Sequence, residues 1–384
     1  MEFTVKNWMS DELNRRKQLV RDLWAGRPIE RIPLDIRLTV PSTHSTREQF
    51  QDGEKQLAAA LASAQATWAG LGDQTDCIPA IRPDVGCSCL ASAFGASYYW
   101  GDSVNQTPGI REYIVTDLES QVDTLTLPDV YTQGWLPEGL KRISRFAEAG
   151  EGLIPVSLLD AAGGVNVAAD LMGMTELLVA MKLMPDALHK LLNIIQDLYI
   201  QTIHAGIKEA GGEANITTTD FPDTWFPEGY KGHVSDDISA AFGPETYREF
   251  SAPYHAKIFR EFGTGGLHNC GPNPCHAAYM EHEWSPRNLD LSDTYSHRDL
   301  PAMKESLKGK GFIYLYWNGI SEPARWYGDI MALMAPDVIV APVFSFQSAA
   351  DAIAVFQQLK PIAMEYAARM AWGWSKQSHA STAC

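Results

Sequence analysis

The stretch Gly265-Gly266-Leu267-His268-Asn269-Cys270-Gly271 has the pattern of a buried strand that ends in a loop. Side chains alternate across a strand, so His268 and Cys270 should point to one side and Asn269 to the other. An imidazole and a thiolate side by side are typical ligands of zinc. Because a His-x-Cys pair is common by chance, it indicates a metal centre only if a third ligand joins it.

Working outward from this stretch, eight short apolar or β-branched runs recur along the 384 residues, with longer amphipathic stretches between them. This alternation predicts parallel strands connected by helices. Eight such units favour an α/β fold of the (β/α)8 TIM-barrel type, in which functional side chains lie at the carboxyl ends of the strands. The open doubly wound sheet is the alternative fold, but no Gly-x-Gly-x-x-Gly turn follows the first run.

The predicted strands are residues 32–38, 75–80, 153–159, 214–219, 265–269, 288–292, 311–316 and 337–342. The predicted helices are residues 11–25, 54–71, 136–149, 174–184, 186–210, 244–262, 299–308, 324–334 and 348–372. The first helix precedes the first strand, so we expect an N-terminal helical segment ahead of the barrel.

The stretch from about residue 81 to 151 is too long for a simple strand-to-helix connection and is rich in aromatic residues and glycine. Long loops of this kind commonly cover functional sites, so we predict a lid insertion over the barrel mouth after the second strand. Residues 1–374 are predicted to form a single barrel domain, and residues 375–384 a disordered tail.

Composition limits the kinds of partner. The net charge of −16 argues against nucleic acid, because phosphate binding needs concentrated lysine and arginine. No apolar run approaches the length of a membrane span and the first residues are polar, so we expect no membrane partner and a cytoplasmic location. Six scattered cysteines suit reduced thiols rather than a disulfide framework. Small molecules or another protein are therefore the expected partners.

Several blocks, taken in order, resemble the uroporphyrinogen decarboxylase superfamily, and in particular its corrinoid-dependent methyltransferase branch. The blocks are Arg27-Pro28-Ile29-Glu30-Arg31-Ile32-Pro33, Asp76-Cys77-Ile78-Pro79, Phe94-Gly95, Asp236-Asp237, Phe242-Gly243-Pro244-Glu245-Thr246-Tyr247, Pro253-Tyr254 and Leu267-His268-Asn269-Cys270-Gly271. The resemblance covers most of the chain, and the ordered series is more specific than any one block. It implies a TIM barrel of the uroporphyrinogen decarboxylase type.

In the methyltransferase branch, the histidine and first cysteine bind zinc together with a second cysteine near the end of the last strand. By this resemblance His268 and Cys270 are two ligands, but residues 342–346 contain no cysteine. We take Cys275 as the third ligand in the predicted set. The other candidates are His276, Asp236, Asp237 and Asp293. An aspartate would replace a thiolate with a harder oxygen ligand and make the metal a stronger Lewis acid. A metal-free pocket with a hydrogen-bonding His268 remains the alternative.

The resemblance implies transfer of a methyl group between a small substrate methylated on O, N or S, including a methoxylated aromatic, and the cobalt of a corrinoid. It implies one zinc per chain, a separate corrinoid protein as partner, a small methylated substrate or thiol as the other reactant, and often a homodimer. The demethylating direction is favoured because aromatic residues are predicted near the mouth.

The predicted site residues combine strand-end positions with this resemblance. The catalytic candidates are Asp237, Asp220 and Asn318, and the substrate-binding candidates are Trp225, Tyr230, Tyr316, Trp317 and Tyr98. Three further strand-end acids are Asp160, Asp290 and Asp293. Asp220 could equally organise a turn ahead of Phe221-Pro222, and Tyr316 could belong to the core.

Two other classes of function stay open. The decarboxylase branch carries an Arg-Gln-Ala-Gly-Arg run soon after the first strand, whereas this chain has Arg37-Leu38-Thr39-Val40-Pro41-Ser42. Without paired arginines a polycarboxylate porphyrinogen would be held poorly. A metal-free decarboxylase or lyase acting on a smaller carboxylated substrate, or a non-catalytic ligand-binding relative, is the remaining alternative.

Overall fold

The structure is a computed structural model that describes residues 10–374. Its main sheet has six parallel strands, whose order across the sheet is Asp35–Leu38, Val340–Phe346, Phe312–Tyr316, Asn288–Ser292, Gly266–Asn269 and His233–Ser235. The tail predicted at residues 375–384 lies outside the described residues.

Three further extended segments, close to residues 76–81, 155–157 and 216–219, complete the circuit between the two edge strands. Backbone contacts join them in sequence: the Asp76 amide donates to the Leu34 carbonyl, Ile81 bridges Val156, Val156 bridges Ile216, and the Thr219 amide donates to the Lys231 carbonyl. Hydrogen bonding therefore runs around the whole circuit, and the predicted α/β barrel is confirmed.

Five of the eight predicted strands are present as strands, and the other three are the extended segments. The last strand begins and ends later than predicted, at Val340–Phe346. The strand His233–Ser235 was not predicted. Its histidine and serine side chains are polar although both residues are buried, and they interrupt the apolar pattern on which the prediction depended.

The helices that correspond to predicted ones are Ser10–Trp24, Gly53–Leu71, Leu136–Gly150, Met174–Leu183, Pro185–Glu209, Pro244–Phe250, Ala252–Phe262, Leu300–Leu307, Pro323–Met334 and Ala349–Arg369. The single helix predicted over residues 244–262 is two helices that meet at Ser251. Pro253 lies in the first turn of the second helix, where a residue without an amide hydrogen is tolerated. The additional α-helices are Thr46–Gln51, Cys89–Ala93, Leu118–Gln121, Gly164–Met172 and Asp293–Ser296.

Residues 81–151 form the predicted insertion. It contains a two-stranded antiparallel ribbon, in which Tyr98–Tyr99 pairs with Gly109–Ile110, and it ends in the helix Leu136–Gly150. Cys87 and Ile110 from this insertion line a cavity together with His268 and Cys270 from the barrel. The insertion therefore forms part of the wall over the barrel mouth.

Residues 220–226, here called the inner segment, run through the inside of the barrel instead of over its surface. On one side, the Pro222 carbonyl accepts hydrogen bonds from Thr217 Oγ1 at 2.7 Å and Ser157 Oγ at 3.2 Å. On the opposite side, the Thr224 hydroxyl is bonded to Arg37 at 2.7 Å and to the Tyr316 hydroxyl at 3.2 Å. Contacts with strands on both sides place the inner segment across the barrel interior.

Among residues 10–374, no single helix is long and apolar enough to cross a membrane. The helices Gly164–Met172 and Met174–Leu183 reach that length and composition only as a pair, and they are bent by 111°.

Candidate active site

A cavity of about 520 Å³ lies at the carboxyl ends of the neighbouring strands His233–Ser235 and Gly266–Asn269. Three potential metal ligands, Asp237, His268 and Cys270, line it. In the sheet, Ser235 is the direct partner of His268. The residues that follow Ser235 on one strand and His268 on the next are therefore adjacent, although more than 30 residues separate them along the chain.

The ligand atoms of Asp237, His268 and Cys270 all lie within 4.8 Å of one another. The distance from His268 Nε2 to Asp237 Oδ1 is 3.7 Å. Zinc-to-ligand bonds of about 2.0–2.3 Å place tetrahedral ligands roughly 3.5 Å apart, so this pair needs no rearrangement to share one ion. Three protein ligands leave a fourth position open, which is the arrangement of catalytic zinc sites. The residues therefore fit a zinc ion.

The Asp237 carboxylate is held in place by both strands. Its Oδ1 accepts a hydrogen bond from the Cys270 amide at 2.7 Å, and its Oδ2 accepts one from Ser235 Oγ at 3.0 Å. A ligand fixed by such contacts loses little freedom when a metal binds. Asp237, which the sequence analysis weighed as a harder substitute for the missing thiolate, takes the third place in this group.

A buried carboxylate, Asp290, lies behind His268. Its Oδ2 is 3.6 Å from His268 Nδ1 and 3.5 Å from His233 Nε2. Burial alone would raise the pKa of Asp290, but the two imidazoles outweigh it and lower that pKa to about 2. Burial would lower the pKa of His268, but Asp290, Cys270 and Asp237 outweigh it and raise that pKa well above its ordinary value. A charged Asp290 beside Nδ1 orients the ring so that Nε2 is the nitrogen next to Asp237.

The cavity wall next to His268 is formed by Phe221, Arg82 and Asp160. The Phe221 ring meets the His268 ring edge-on, with centroids 4.9 Å apart, and the Arg82 guanidinium lies 5.1 Å from the same Phe221 ring. Arg82 Nη2 forms an ion pair with Asp160 Oδ2 at 3.2 Å. Burial raises the pKa of Asp160 to about 7, although Arg82 opposes the shift. A carboxyl group with a pKa near neutrality can hold or give up a proton at physiological pH.

A second acid, Asp170, lies on the helix Gly164–Met172 and lines the same cavity. Burial raises the pKa of Asp170 to about 6, opposed by a hydrogen bond with Ser88. Within residues 10–374, Asp170 forms no ion pair. Asp160 and Asp170 are therefore two carboxyl groups in the cavity that can carry a proton near neutral pH.

The structure does not bring Cys275 to the ligand group. Its thiol is fully buried and donates to the Phe242 carbonyl at 3.0 Å and the Ser239 carbonyl at 3.4 Å, and burial raises its pKa to about 12. Ionisation of a thiol enclosed in this way is unfavourable, and metals bind the thiolate. In place of the predicted set His268, Cys270 and Cys275, the structure assembles Asp237, His268 and Cys270.

Two of the three catalytic candidates lie outside the cavity. Asp220 is fully buried and accepts hydrogen bonds from the amides of Ala161 and Ser235, both at 3.1 Å, and from the Tyr199 hydroxyl at 3.0 Å. These bonds connect Asp220 with the segments that contain Ala161, Ser235 and Tyr199, which indicates a structural role. Asn318 lines a separate cavity of about 530 Å³, together with Asp293 and His297.

The five aromatic substrate-binding candidates do not line the cavity with the ligand group. Each instead has a packing partner: Tyr98 stacks on Trp135, Trp225 contacts Lys231, Tyr230 packs on Trp24, Tyr316 is bonded to Thr224, and Trp317 packs on Phe344. The aromatic side chains that do reach the cavity are Phe221 and Tyr113, and neither was among the candidates.

The sequence analysis also missed Arg82 and Asp170. Arg82 follows the second predicted strand by two residues, so the rule that functional side chains lie at strand ends could have identified it. Asp170 had no such signal, because the helix Gly164–Met172 was itself not predicted.

Comparisons with known proteins agree with this architecture. A model of the uroporphyrinogen decarboxylase (URO-D) family matches residues 80–286, which is more than half of the chain. No curated protein matches the chain. Among solved structures, a methyltransferase from Methanosarcina mazei is similar with a TM-score of 0.63 and 17% sequence identity, over 90% of this chain and 98% of that one. That likeness establishes the barrel fold, and the family match establishes that the chain belongs to the uroporphyrinogen decarboxylase family.

Proposed function

We propose that this protein transfers a methyl group between a small methylated substrate and the cobalt of a corrinoid carried by a separate protein, with the help of zinc. The observation that carries the proposal is the group of Asp237, His268 and Cys270 on the wall of a cavity of about 520 Å³. A metal-free decarboxylase has no need for three such ligands at the carboxyl ends of adjacent strands.

The residues of the chain have distinct parts in this proposal. Asp237, His268 and Cys270 would hold the metal, and Asp290 would keep the His268 ring in the orientation that presents Nε2. A zinc ion bound there would supply Lewis-acid chemistry, making a methylated heteroatom a better leaving group or a thiol more acidic. Asp160 and Asp170 would give a proton to the departing heteroatom, or accept one in the opposite direction of transfer.

The family and the fold support the proposal. The chain belongs to the uroporphyrinogen decarboxylase family, and a solved methyltransferase has the same fold over 98% of its length. The first strand supports a methyltransferase over a porphyrinogen decarboxylase. Its Arg37 is already paired with Asp35 and Asp223, so it is not free to bind a substrate carboxylate.

The test is the metal content of the purified protein, measured by elemental analysis for the wild type and three variants. We expect about one zinc per chain in the wild type and a loss of most of it in Cys270→Ser and Asp237→Asn. Cys275→Ser is the matched control and should retain the metal, because Cys275 is enclosed away from the group. The zinc-loaded protein should then methylate reduced free cobalamin from a methoxylated aromatic, which absorbance spectroscopy follows directly.

Two outcomes would contradict the proposal. A wild type without zinc, even after incubation with the metal, would remove the centre and favour a metal-free lyase. Loss of zinc in Cys275→Ser but not in Asp237→Asn would return the third ligand position to Cys275.

A further inference from the structure

Carboxylates and imidazoles alternate in a row that runs from the barrel interior to the ligand group. The His233 ring lies between two carboxylates, with Nδ1 3.8 Å from Asp220 Oδ2 and Nε2 3.5 Å from Asp290 Oδ2. Asp290 Oδ2 is in turn 3.6 Å from His268 Nδ1, and His268 Nε2 is 3.7 Å from Asp237 Oδ1. His233 is fully buried, so within this row it can act on the ligand group only through Asp290.

The surroundings of His233 give no structural reason for an imidazole. Within residues 10–374, neither of its ring nitrogens has a hydrogen-bond partner. Its ring packs against Phe221 and Phe226, with centroids 5.6 and 5.7 Å away. An apolar side chain would suit this position without the cost of taking a polar ring out of water. A buried polar group without such partners calls for an explanation, and function is one of the common ones.

The neighbouring strand leaves space for the His233 ring. Gly266 is the direct partner of His233 in the sheet and lies two residues before His268. A Cβ atom at Gly266 would lie only 2.7 Å from His233 Cδ2 and 2.9 Å from the Phe226 ring. These distances are too short for packed atoms, so glycine at this position allows the ring to lie where it does.

The two flanking carboxylates favour a positive charge on His233. Burial would lower the pKa of His233, but Asp220 and Asp290 outweigh it and raise that pKa above its ordinary value. A charged His233 attracts Asp290 Oδ2, the same oxygen that faces His268. The other oxygen, Asp290 Oδ1, is buried without a hydrogen-bond partner in the described chain. Without His233, the Asp290 carboxylate would therefore lose one of the two charges that hold it in place.

We propose that His233 is a positioning residue for the metal centre, which holds the Asp290 carboxylate against His268 and thereby fixes the ring that presents Nε2 to the metal. The inference deepens the proposed function and rests on it for the metal that His268 binds. His233 itself touches neither metal nor substrate. Partners that orient a metal ligand contribute to metal affinity without binding the ion, and His233 extends that support by one residue beyond Asp290.

The experiment measures zinc affinity by competition with a chromophoric chelator, in the purified full-length chain. His233→Leu removes the charge and the ring donors, whereas His233→Gln keeps an N–H donor without the charge. Asp290→Asn and the double variant His233→Leu/Asp290→Asn complete a double-mutant cycle. His255→Leu is the matched control, because His255 is also buried and faces a carboxylate, that of Asp236 at 3.4 Å, but is not part of the row.

His233→Leu should bind zinc about tenfold more weakly than the wild type, and His233→Gln should be intermediate. The double variant should bind zinc no more weakly than Asp290→Asn alone, because His233 acts through Asp290. A general weakening of the barrel would instead add to the effect of Asp290→Asn. His255→Leu should bind zinc as the wild type does. Thermal melts establish that each variant is folded, and His233→Gln takes the place of His233→Leu in the cycle if the leucine variant does not fold.

A second readout needs no metal. In metal-free protein with isotope-labelled histidine, nuclear magnetic resonance detects the His268 ring, whose signals are assigned by their loss in His268→Gln. These signals should be sharp in the wild type and broadened or doubled in His233→Leu, because the ring is no longer held in one orientation. They should be unchanged in His255→Leu.

Three results would overturn the inference: wild-type zinc affinity in His233→Leu, losses that add in the double variant, and an equal loss in His255→Leu. A wild type that binds no zinc would contradict the proposed function, and the His268 signals would then decide this inference by themselves. Signals that are the same in His233→Leu and the wild type would overturn it, and broadened or doubled signals would leave it standing.

Discussion

Two sides of the same barrel mouth differ in whether their polar groups have hydrogen-bond or ion-pair partners. On the side of Arg37, the guanidinium is paired with Asp35 and Asp223 and bonded to Thr224. On the side of His268, buried polar atoms lack a hydrogen-bond partner, among them His268 Nδ1 and Asp290 Oδ1. Buried polar groups are normally satisfied, and unsatisfied ones mark sites where a ligand, an ion or chemistry is expected. The comparison teaches that function belongs on the His268 side and structural stability on the Arg37 side.

The largest expected effect is a loss of stability when Arg37 is changed, and it tests the difference between the two sides. Arg37→Ala leaves two carboxylates, those of Asp35 and Asp223, close together without their cation. Breaking a buried ion pair in this way costs about 3 kcal/mol in the free energy of unfolding, and chemical denaturation measures it. The zinc content should stay at the wild-type level, because Arg37 does not contribute to the ligand group.

Arg145→Ala is the control for Arg37. Arg145 pairs with Glu54 on the surface, and such exposed pairs contribute no more than about 1 kcal/mol. If Arg37→Ala were as stable as Arg145→Ala, or lost zinc, the two sides of the mouth would not be distinct in the way described.

A smaller effect is expected when Asp290 is changed. Asp290→Asn removes the charge beside His268 Nδ1, and loss of a partner that orients a metal ligand lowers metal affinity by about 10- to 100-fold. Competition with a chromophoric chelator measures this affinity. The visible spectrum of the cobalt-substituted protein should also change, because the His268 ring is no longer held in one orientation.

The matched control for that variant is Asp293→Asn. Asp293 directly follows the strand Asn288–Ser292, in which Asp290 lies, but its carboxylate is bonded to His297 at 2.7 Å instead of facing His268. Equal loss of metal affinity in both variants would show that Asp290 has no special relation to the centre.

The smallest effect is the pH dependence contributed by Asp170. Its pKa is about 6 in the folded protein and its ordinary value is 3.8, so the folded state keeps the proton to a higher pH than the unfolded state. Stability is therefore lost as the pH rises from about 4 to 6 and stays lower above that range. Asp170→Asn should be more stable than the wild type at pH 8 by about 1–2 kcal/mol, and no more stable at pH 4.

Thermal melts between pH 4 and pH 8 measure this difference. Glu176→Gln, a change at an exposed acid on the following helix, should show no such pH-dependent gain. A constant difference between Asp170→Asn and the wild type at all pH values would contradict the burial of a carboxyl group at this position.

The sequence predicted the part of the site that depends on local geometry. Alternation along one strand placed His268 and Cys270 together, and the structure has both on the wall of one cavity. The third member, Asp237, was harder to predict. It follows the strand His233–Ser235, whose polar residues do not show the apolar pattern of a buried strand. Cys275 was favoured on chemistry alone, and no sequence pattern indicated that its thiol would be enclosed against Ser239 and Phe242.

The aromatic candidates lie away from the cavity with the ligand group for a different physical reason. Trp225 and Tyr230 were placed at the mouth because they follow a strand end, where a loop is expected to lie on the surface. The chain instead turns inward after Asp220, and Trp225 is buried beside Lys231. A hydrogen bond from Ser157 to the Pro222 carbonyl and one from Arg37 to the Thr224 hydroxyl hold that path, and contacts between residues so far apart cannot be read from the local sequence.

The inner segment also constrains the order in which the chain folds. Thr224 binds Arg37, 187 residues before it, and Tyr316, 92 residues after it, so both ends of the chain must be present before its contacts are complete. Contacts between residues far apart in sequence form slowly, because the entropy of closing long loops has to be overcome first. The contacts of Thr224 with the strands Asp35–Leu38 and Phe312–Tyr316 are therefore expected to form in a late and slow step of folding.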